Sequence, residues 1–190
     1  MKSGIKELLS KRRRKELSDP NFSHAAVFLL LFERNGEHYI IFTKRTEHLR
    51  NHQGQISFPG GGFDEGDVSL LNTAFRETFE EIGLTRDNIE VLGELDDVVT
   101  FSSRYIVTPF VGFLKHPPDG SLKINKYEID RVFEVPLSLL LDDRNFREEL
   151  HEHRGNKVPI YFYDCRECIV WGATAMILKQ FLDLLTTKEE

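Results

Sequence analysis

The sequence changes its period across residues 58–62, and this change is the strongest constraint on how the chain can fold. Upstream, 25–32 is a continuous apolar run and 38–43 is rich in Tyr, Ile and Phe. Both read as strands, joined at Arg34-Asn35-Gly36, where Asn-Gly is a strong hairpin signal. Phe58-Pro59-Gly60-Gly61-Gly62 breaks that pattern. Beyond it Leu71, Ala74, Phe75, Thr78 and Ile82 recur at helical spacing, and Gly83 supplies a stop. Segments 91–95, 105–114 and 131–135 read as further strands, Pro117-Pro118-Asp119-Gly120 as a turn, and 174–185 as an amphipathic closing helix. Strands with helices at the middle and the end predict a single mixed α/β layer structure.

Residues 1–20 read as a charged helical arm ending at Ser18-Asp19-Pro20, ahead of a single domain over 21–190. Within the arm, Lys11-Arg12-Arg13-Arg14-Lys15 reads as a solvated helix face. With 40% hydrophobic residues, 15 of them Phe, the 190-residue chain can build a sizeable core. Its longest apolar run is eight residues, far short of the roughly 20 that span a bilayer. No apolar stretch with a small-residue cleavage site opens the chain, so a cytoplasmic protein without a membrane partner is expected.

Lys and Arg total 25 against 31 Asp and Glu, for a net charge of −6. A global polyanion binder leans the other way, so nucleic acid is not an expected partner. A phosphate ligand must then be held by local Arg or Lys, by backbone amides or by a metal. Cys165 and Cys168 exclude a disulfide scaffold. Without a second Cys pair, and with His151 and His153 as a lone H-x-H, they read as ordinary reduced thiols. Trp171 reads as packing, and Phe101-Ser102-Ser103-Arg104 equally as a cleft wall or a surface loop.

The chemistry concentrates in Arg76-Glu77-Thr78-Phe79-Glu80-Glu81-Ile82-Gly83-Leu84. At about 100° per residue, Glu77, Glu80 and Glu81 fall within one arc of the helix, beside the apolar sector of Leu71, Ala74, Phe75 and Ile82. Like charges at these spacings repel by a few tenths of a kcal/mol per pair. A hard divalent cation converts that repulsion into ligation. Arg76 can fix the neighbouring Glu77 by a charge-assisted bond. Gly60, Gly61 and Gly62 allow close backbone approach and free a carbonyl or amide to reach a ligand or metal. Taken alone, three glutamates fit a solvated acidic face equally well; the glycine loop ahead of them makes the arrangement specific.

Here the sequence resembles the Nudix hydrolases, whose box reads G-x5-E-x7-R-E-U-x-E-E-x-G-U, with U a bulky apolar residue. Residues 76–84 match closely, except that Thr78 replaces an aliphatic. Counting from Gly61, the upstream acid is Asp67 rather than Glu, and eight residues rather than seven separate it from Arg76. This departure leaves Asp67 without an assigned role. A second motif resembles the coenzyme A pyrophosphatase branch, L-L-T-x-R-(S/A)-x3-R-x3-G-x3-F-P-G-G. Ile41-Phe42-Thr43-Lys44-Arg45-Thr46 is followed by Arg50, Gly54 and Phe58-Pro59-Gly60-Gly61 at the matching spacings.

The resemblance implies an α/β/α sandwich with a mixed β-sheet and a catalytic loop-helix-loop. It implies Mg²⁺- or Mn²⁺-dependent hydrolysis of coenzyme A to adenosine 3′,5′-bisphosphate and 4′-phosphopantetheine. Glu77 and Glu81 are the first expected metal ligands, Glu80 is a third ligand or positions water, and a carbonyl near Gly60 or Gly61 completes the shell. Glu77, Glu80 or a loop acid such as Glu128 would each serve as general base. Arg45, Arg50 and Gly60 are expected at the substrate phosphates, although each arginine equally suits a structural ion pair. Another nucleoside diphosphate derivative such as ADP-ribose is the alternative substrate, and a non-catalytic nucleotide sensor the alternative from another class. The expected assembly is a monomer or homodimer.

Overall fold

Eleven strands and four helices are present among the residues that the computed structural model describes, which are 1–48, 54–100, 103–120, 122–153 and 155–186. At the centre, β1 (Ser23–Arg34) and β2 (Glu37–Arg45) form an antiparallel hairpin closed by Asn35 and Gly36. Both turn residues have positive φ, 55° and 80°, as the Asn-Gly signal predicts. The hairpin is extended by β3 (Ile56–Ser57) and β8 (Ile129–Pro136) beside β2, and by β4 (Gly60–Gly62) beside β1. Strand β7 (Tyr105–Leu114) lies parallel to β1, and β5 (Ile89–Glu94) and β6 (Val98–Thr100) run antiparallel to β7.

Burial on both faces of this mixed sheet explains why β1 is continuously apolar rather than alternating. Ala26, Phe28, Leu30 and Phe32 face α2 (Leu70–Ile82) and join one core with Ala74, Phe75 and Ile82. Ala25, Leu29 and Leu31 face the other core, which holds α4 (Gly172–Thr186) through Ala175, Leu178 and Phe181. The short α3 (Leu137–Leu140) buries Leu137 and Leu140 there. Helices on both faces of a mixed sheet make the expected α/β/α sandwich. No helix among the described residues is long and apolar enough to cross a membrane.

The N-terminal segment departs from the expected helical arm. Helix α1 covers only Lys2–Ser10, and its Ile5 and Leu9 are buried in the same core as Leu92 and Leu95. Beyond it Lys11, Arg13 and Lys15 of the basic run are exposed, but Arg12 and Arg14 are tethered to the domain. Arg12 pairs with Asp96 and donates to the Glu94 carbonyl at 2.9 Å; Arg14 donates to Glu94 Oε2 at 2.9 Å. A further departure is a second, three-stranded sheet of β9 (Phe146–His153), β10 (Asn156–Asp164) and β11 (Ile169–Trp171). Only one face of it reaches the core, through Tyr163 and Val170, so the charged outer residues of β9 mask its strand character.

Helix α2 starts where the Ser69 Oγ accepts from the Asn72 N–H at 3.2 Å, and ends where Gly83, at φ 73°, donates to the Phe79 carbonyl. Thr78, on its buried side, has a hydroxyl with no hydrogen-bond partner. An unpaired buried hydroxyl costs about 1–3 kcal/mol. Thr78→Val is therefore expected to stabilise the protein by about 1 kcal/mol, a rise of about 2–4 °C in thermal midpoint at this size. Calorimetry that found it destabilised would show that the hydroxyl is satisfied in solution.

Candidate active site

The site forms where β4 lies against both β1 and α2. Gly60, Gly61 and Gly62 pair with Val27, Ala26 and Ala25. A Cβ on Gly60, whose φ is 151°, would stand 2.3 Å from the Ala26 carbonyl oxygen. One on Gly61 would fall 2.4 Å from the Glu77 carboxyl carbon. Glycine is thus required for the strand to press against β1 on one side and the helix carboxylates on the other. Phe58, stacked on Phe42 with ring centroids 4.9 Å apart, anchors the approach to this strand.

Glu81 is the most buried acid of the group, with 1% exposure. The Gly60 N–H donates to its Oε2 at 3.3 Å, and the Arg45 guanidinium stands 3.5 Å from Oε1. Burial pushes its carboxyl up to about 8, although Arg45 and the Gly60 amide favour the ionised form and the charges of Glu77 and Glu128 oppose it. Glu77, one turn earlier, is raised too, chiefly by burial and against the pull of Arg76. Glu80 is different: half its side chain is exposed, and it accepts from Arg76 Nη1 at 3.0 Å on the solvent side. Arg76 Nη1 thus bridges Glu77 and Glu80 on one side of the helix, with Glu81 the most buried of the three and Glu80 at the exposed edge.

Arg76 ties the group together. It donates to Glu77 Oε1 at 2.9 Å, to the Gly62 carbonyl at 3.1 Å, and through Nε and Nη2 to both oxygens of Asp67 at 2.8 and 3.0 Å. Asp67 also accepts from the Thr73 hydroxyl at 2.8 Å and the Asp64 N–H at 3.0 Å. The Arg76 hydrogen bonds hold its carboxyl well below the usual carboxylate range. The extra residue between Asp67 and Arg76 is absorbed by Val68, which takes φ 65° and is 85% exposed. Asp67 thus orients Arg76, a role the sequence left open. Asp64 and Thr73 were missed outright; the one available signal was the Asp64-x-x-Asp67 capping box.

The opposite wall is the loop before β8. Its Asn125 N–H donates to the Glu81 carbonyl at 2.9 Å, and the Thr46 N–H donates to the Glu128 carbonyl at 2.9 Å. Glu128 consequently faces Glu77 and Glu81 and raises the pKa of both. Of the expected site residues, Arg45, Gly60, Gly61, Arg76, Glu77 and Glu81 come together, Glu80 lies at the edge, and Arg50 lies outside the described residues.

A model of the NUDIX domain matches residues 22–154. The chain belongs to the Nudix family. It is 40% identical over 166 residues to an uncharacterised Nudix hydrolase, NudL, of Photorhabdus laumondii, covering 87% of this chain and 86% of the relative. It is 37% identical to mitochondrial Nudix hydrolase 15 of Arabidopsis thaliana, covering 81% of this chain and 55% of that protein. Among solved structures, the MutT protein of Methanosarcina mazei superposes with a TM-score of 0.54 at 18% identity, covering 94% of this chain and 99% of that one. That likeness shows the shared fold.

Nudix hydrolases generally use divalent metal ions. Among the described residues no three acidic, His or Cys side chains enclose a preformed ion site. The donor chemistry nevertheless fits a hard cation: Glu77 and Glu81 are desolvated carboxylates beside the Gly60–Gly61 backbone, and burial disfavours their charge without a cation.

A raised carboxyl pKa means that the folded protein holds its proton more tightly than the unfolded chain. Between about 4.5 and about 8 the unfolded state releases that proton and the folded state keeps it, so Glu81's contribution to stability falls as pH rises. In chelator, Glu81→Gln and the unmodified protein should melt at similar temperatures at pH 5, and Glu81→Gln should melt higher at pH 8. Thermal melts showing a pH-independent difference would contradict the burial of Glu81.

Proposed function

We propose that the protein hydrolyses the pyrophosphate bond of coenzyme A, giving adenosine 3′,5′-bisphosphate and 4′-phosphopantetheine, with Mg²⁺ or Mn²⁺ as cofactor. The observation that carries this reading is the position of Arg45. It belongs to the motif resembling coenzyme A pyrophosphatases, yet it stands 3.5 Å from Glu81 of the Nudix box, so the two motifs build one site. Its Nε is buried with no hydrogen-bond partner, and 26% of its side chain is exposed at the site. Arginine's planar fork suits a phosphate oxygen pair, and coenzyme A brings a 3′-phosphate as well as the diphosphate.

Glu77 and Glu81 would hold the cation, with Glu80 or a carbonyl of Gly60 or Gly61 completing the set. When bound, a divalent cation lowers the pKa of water and neutralises charge on the phosphoryl oxygens. Arg76, fixed by Asp67, keeps Glu77 in place. Arg45 draws the diphosphate towards the helix. The acid that takes the proton from the attacking water is best assigned to Glu128. Glu77 and Glu80 are each engaged by the Arg76 cation, whereas Glu128, among the described residues, accepts only from the neutral Asn125 side-chain amide at 3.3 Å on the opposite loop.

Incubation with coenzyme A, ADP-ribose and a dinucleotide, each with Mg²⁺ or Mn²⁺, tests the substrate. Adenosine 3′,5′-bisphosphate is expected to form fastest and to vanish with chelator. Turnover confined to substrates without a 3′-phosphate would overturn the coenzyme A reading and leave ADP-ribose-like compounds. Glu128→Gln is expected to lower kcat about 10²-fold or more while metal affinity stays unchanged; an unaltered kcat would remove Glu128 from the reaction.

A further inference from the structure

Cys165 and Cys168 lie at the turn between β10 and β11, on the core side of the second sheet and outside the site described above. Beyond the pairing of Tyr163 with Val170 and of Asp164 with Ile169, Cys165 and Cys168 flank the turn of Arg166 and Glu167 and are joined across it by one backbone bond. The Cys165 N–H donates to the Cys168 carbonyl at 2.8 Å, and the Glu167 N–H donates to the Cys165 carbonyl at 2.8 Å. Residues directly opposite in an antiparallel pair have Cα atoms about 4.5–5.5 Å apart, inside the roughly 4.4–6.8 Å that a disulfide spans. Side chains alternate along a strand. Asp164 and Ile169 point outward and are exposed, so both thiols turn inward on the same face. There Cys165 is buried in the core and the half-buried Cys168 packs against it.

We propose that Cys165 and Cys168 form a reversible dithiol–disulfide pair that exchanges with low-molecular-weight disulfides. Cys168, the more accessible of the two, attacks first. Its thiolate bonds to one sulfur of the small disulfide and expels the other half as a thiolate. The Cys165 thiol then loses its proton to solvent and attacks the Cys168 sulfur, expelling the second half. Two protein thiols and one small disulfide thus become one protein disulfide and two small thiols. The electrostatics favour this order. The nearby Cys165 and the Arg131 guanidinium favour the Cys168 thiolate, while the neighbouring Cys168 and burial push up the Cys165 thiol, which itself donates to the Tyr163 carbonyl at 3.7 Å.

A zinc site is a poorer account of the same residues. The H-x-H pair lies at the other end of the hairpin, where His151 pairs with Val158. Seven residues of extended chain, roughly 20 Å, separate that position from Cys165.

The test uses the wild-type chain equilibrated with graded mixtures of reduced and oxidised glutathione, quenched with iodoacetamide and read by intact mass. Both thiols are expected to lose alkylation together as the buffer becomes oxidising, with no glutathione retained, and to recover in dithiothreitol. Cys165→Ser is expected to retain one glutathione on Cys168. Two alkylated thiols throughout the series, or a wild-type chain that stops at the mixed disulfide, would overturn the proposal. The readout is independent of hydrolysis, so it stands or falls apart from the substrate assignment.

Discussion

The burial of Glu81 against the Gly60 amide is the interaction on which the rest of the site depends. A carboxylate with 1% exposure is poorly solvated, and its neighbours supply incomplete compensation: one amide at 3.3 Å and one guanidinium at 3.5 Å. An ion whose partners are distant and few is costly to bury. The fold nevertheless places a second acid, Glu77, one turn away, and a third, Glu128, across the cleft. The surrounding architecture keeps these like charges together. Glycines at 60 and 61 remove the Cβ atoms that would hold helix and strand apart, and Asp67 directs Arg76 onto Glu77. Such a cluster is relieved either by holding a proton, as the raised Glu81 carboxyl does, or by a cation of the kind the family generally uses.

The sheet delivers these groups by register rather than by proximity in sequence. Arg45 ends β2, the glycine strand pairs with β1, and the box helix crosses the same face, where Phe28 meets Phe75 with ring centroids 5.0 Å apart. The loop carrying Glu128 is held by the Thr46 N–H and by the Glu81 carbonyl, so the end of β2 and the end of α2 position one wall jointly. Arg45 and Glu81, thirty-six positions apart in sequence, thereby line one cleft.

Much of this was legible in the sequence because it rests on local periodicity and turn chemistry. The Asn35-Gly36 hairpin, the span of α2 and its Gly83 stop follow from spacing alone. The greater exposure of Glu80 did not, because an arc of about 100° does not say where the strand wall stops. The anchoring of Arg12 and Arg14 is not legible locally, because their partners Glu94 and Asp96 lie about eighty positions away. The role of Asp67 was hidden by Val68, whose left-handed backbone absorbs a residue that the motif spacing counts as a mismatch. The second sheet is not legible because β9 is mostly exposed and charged, with only Phe146 packing against the core.

The most direct test of this account is Mn²⁺ binding, followed by electron paramagnetic resonance of the free ion, in the unmodified protein and in Glu81→Gln without any substrate. If two desolvated carboxylates form the cation site, the substitution should weaken binding at least 10-fold while the protein stays folded, with a thermal midpoint in chelator no lower than before. Equal Mn²⁺ affinity in the two proteins would contradict it and would place the metal elsewhere.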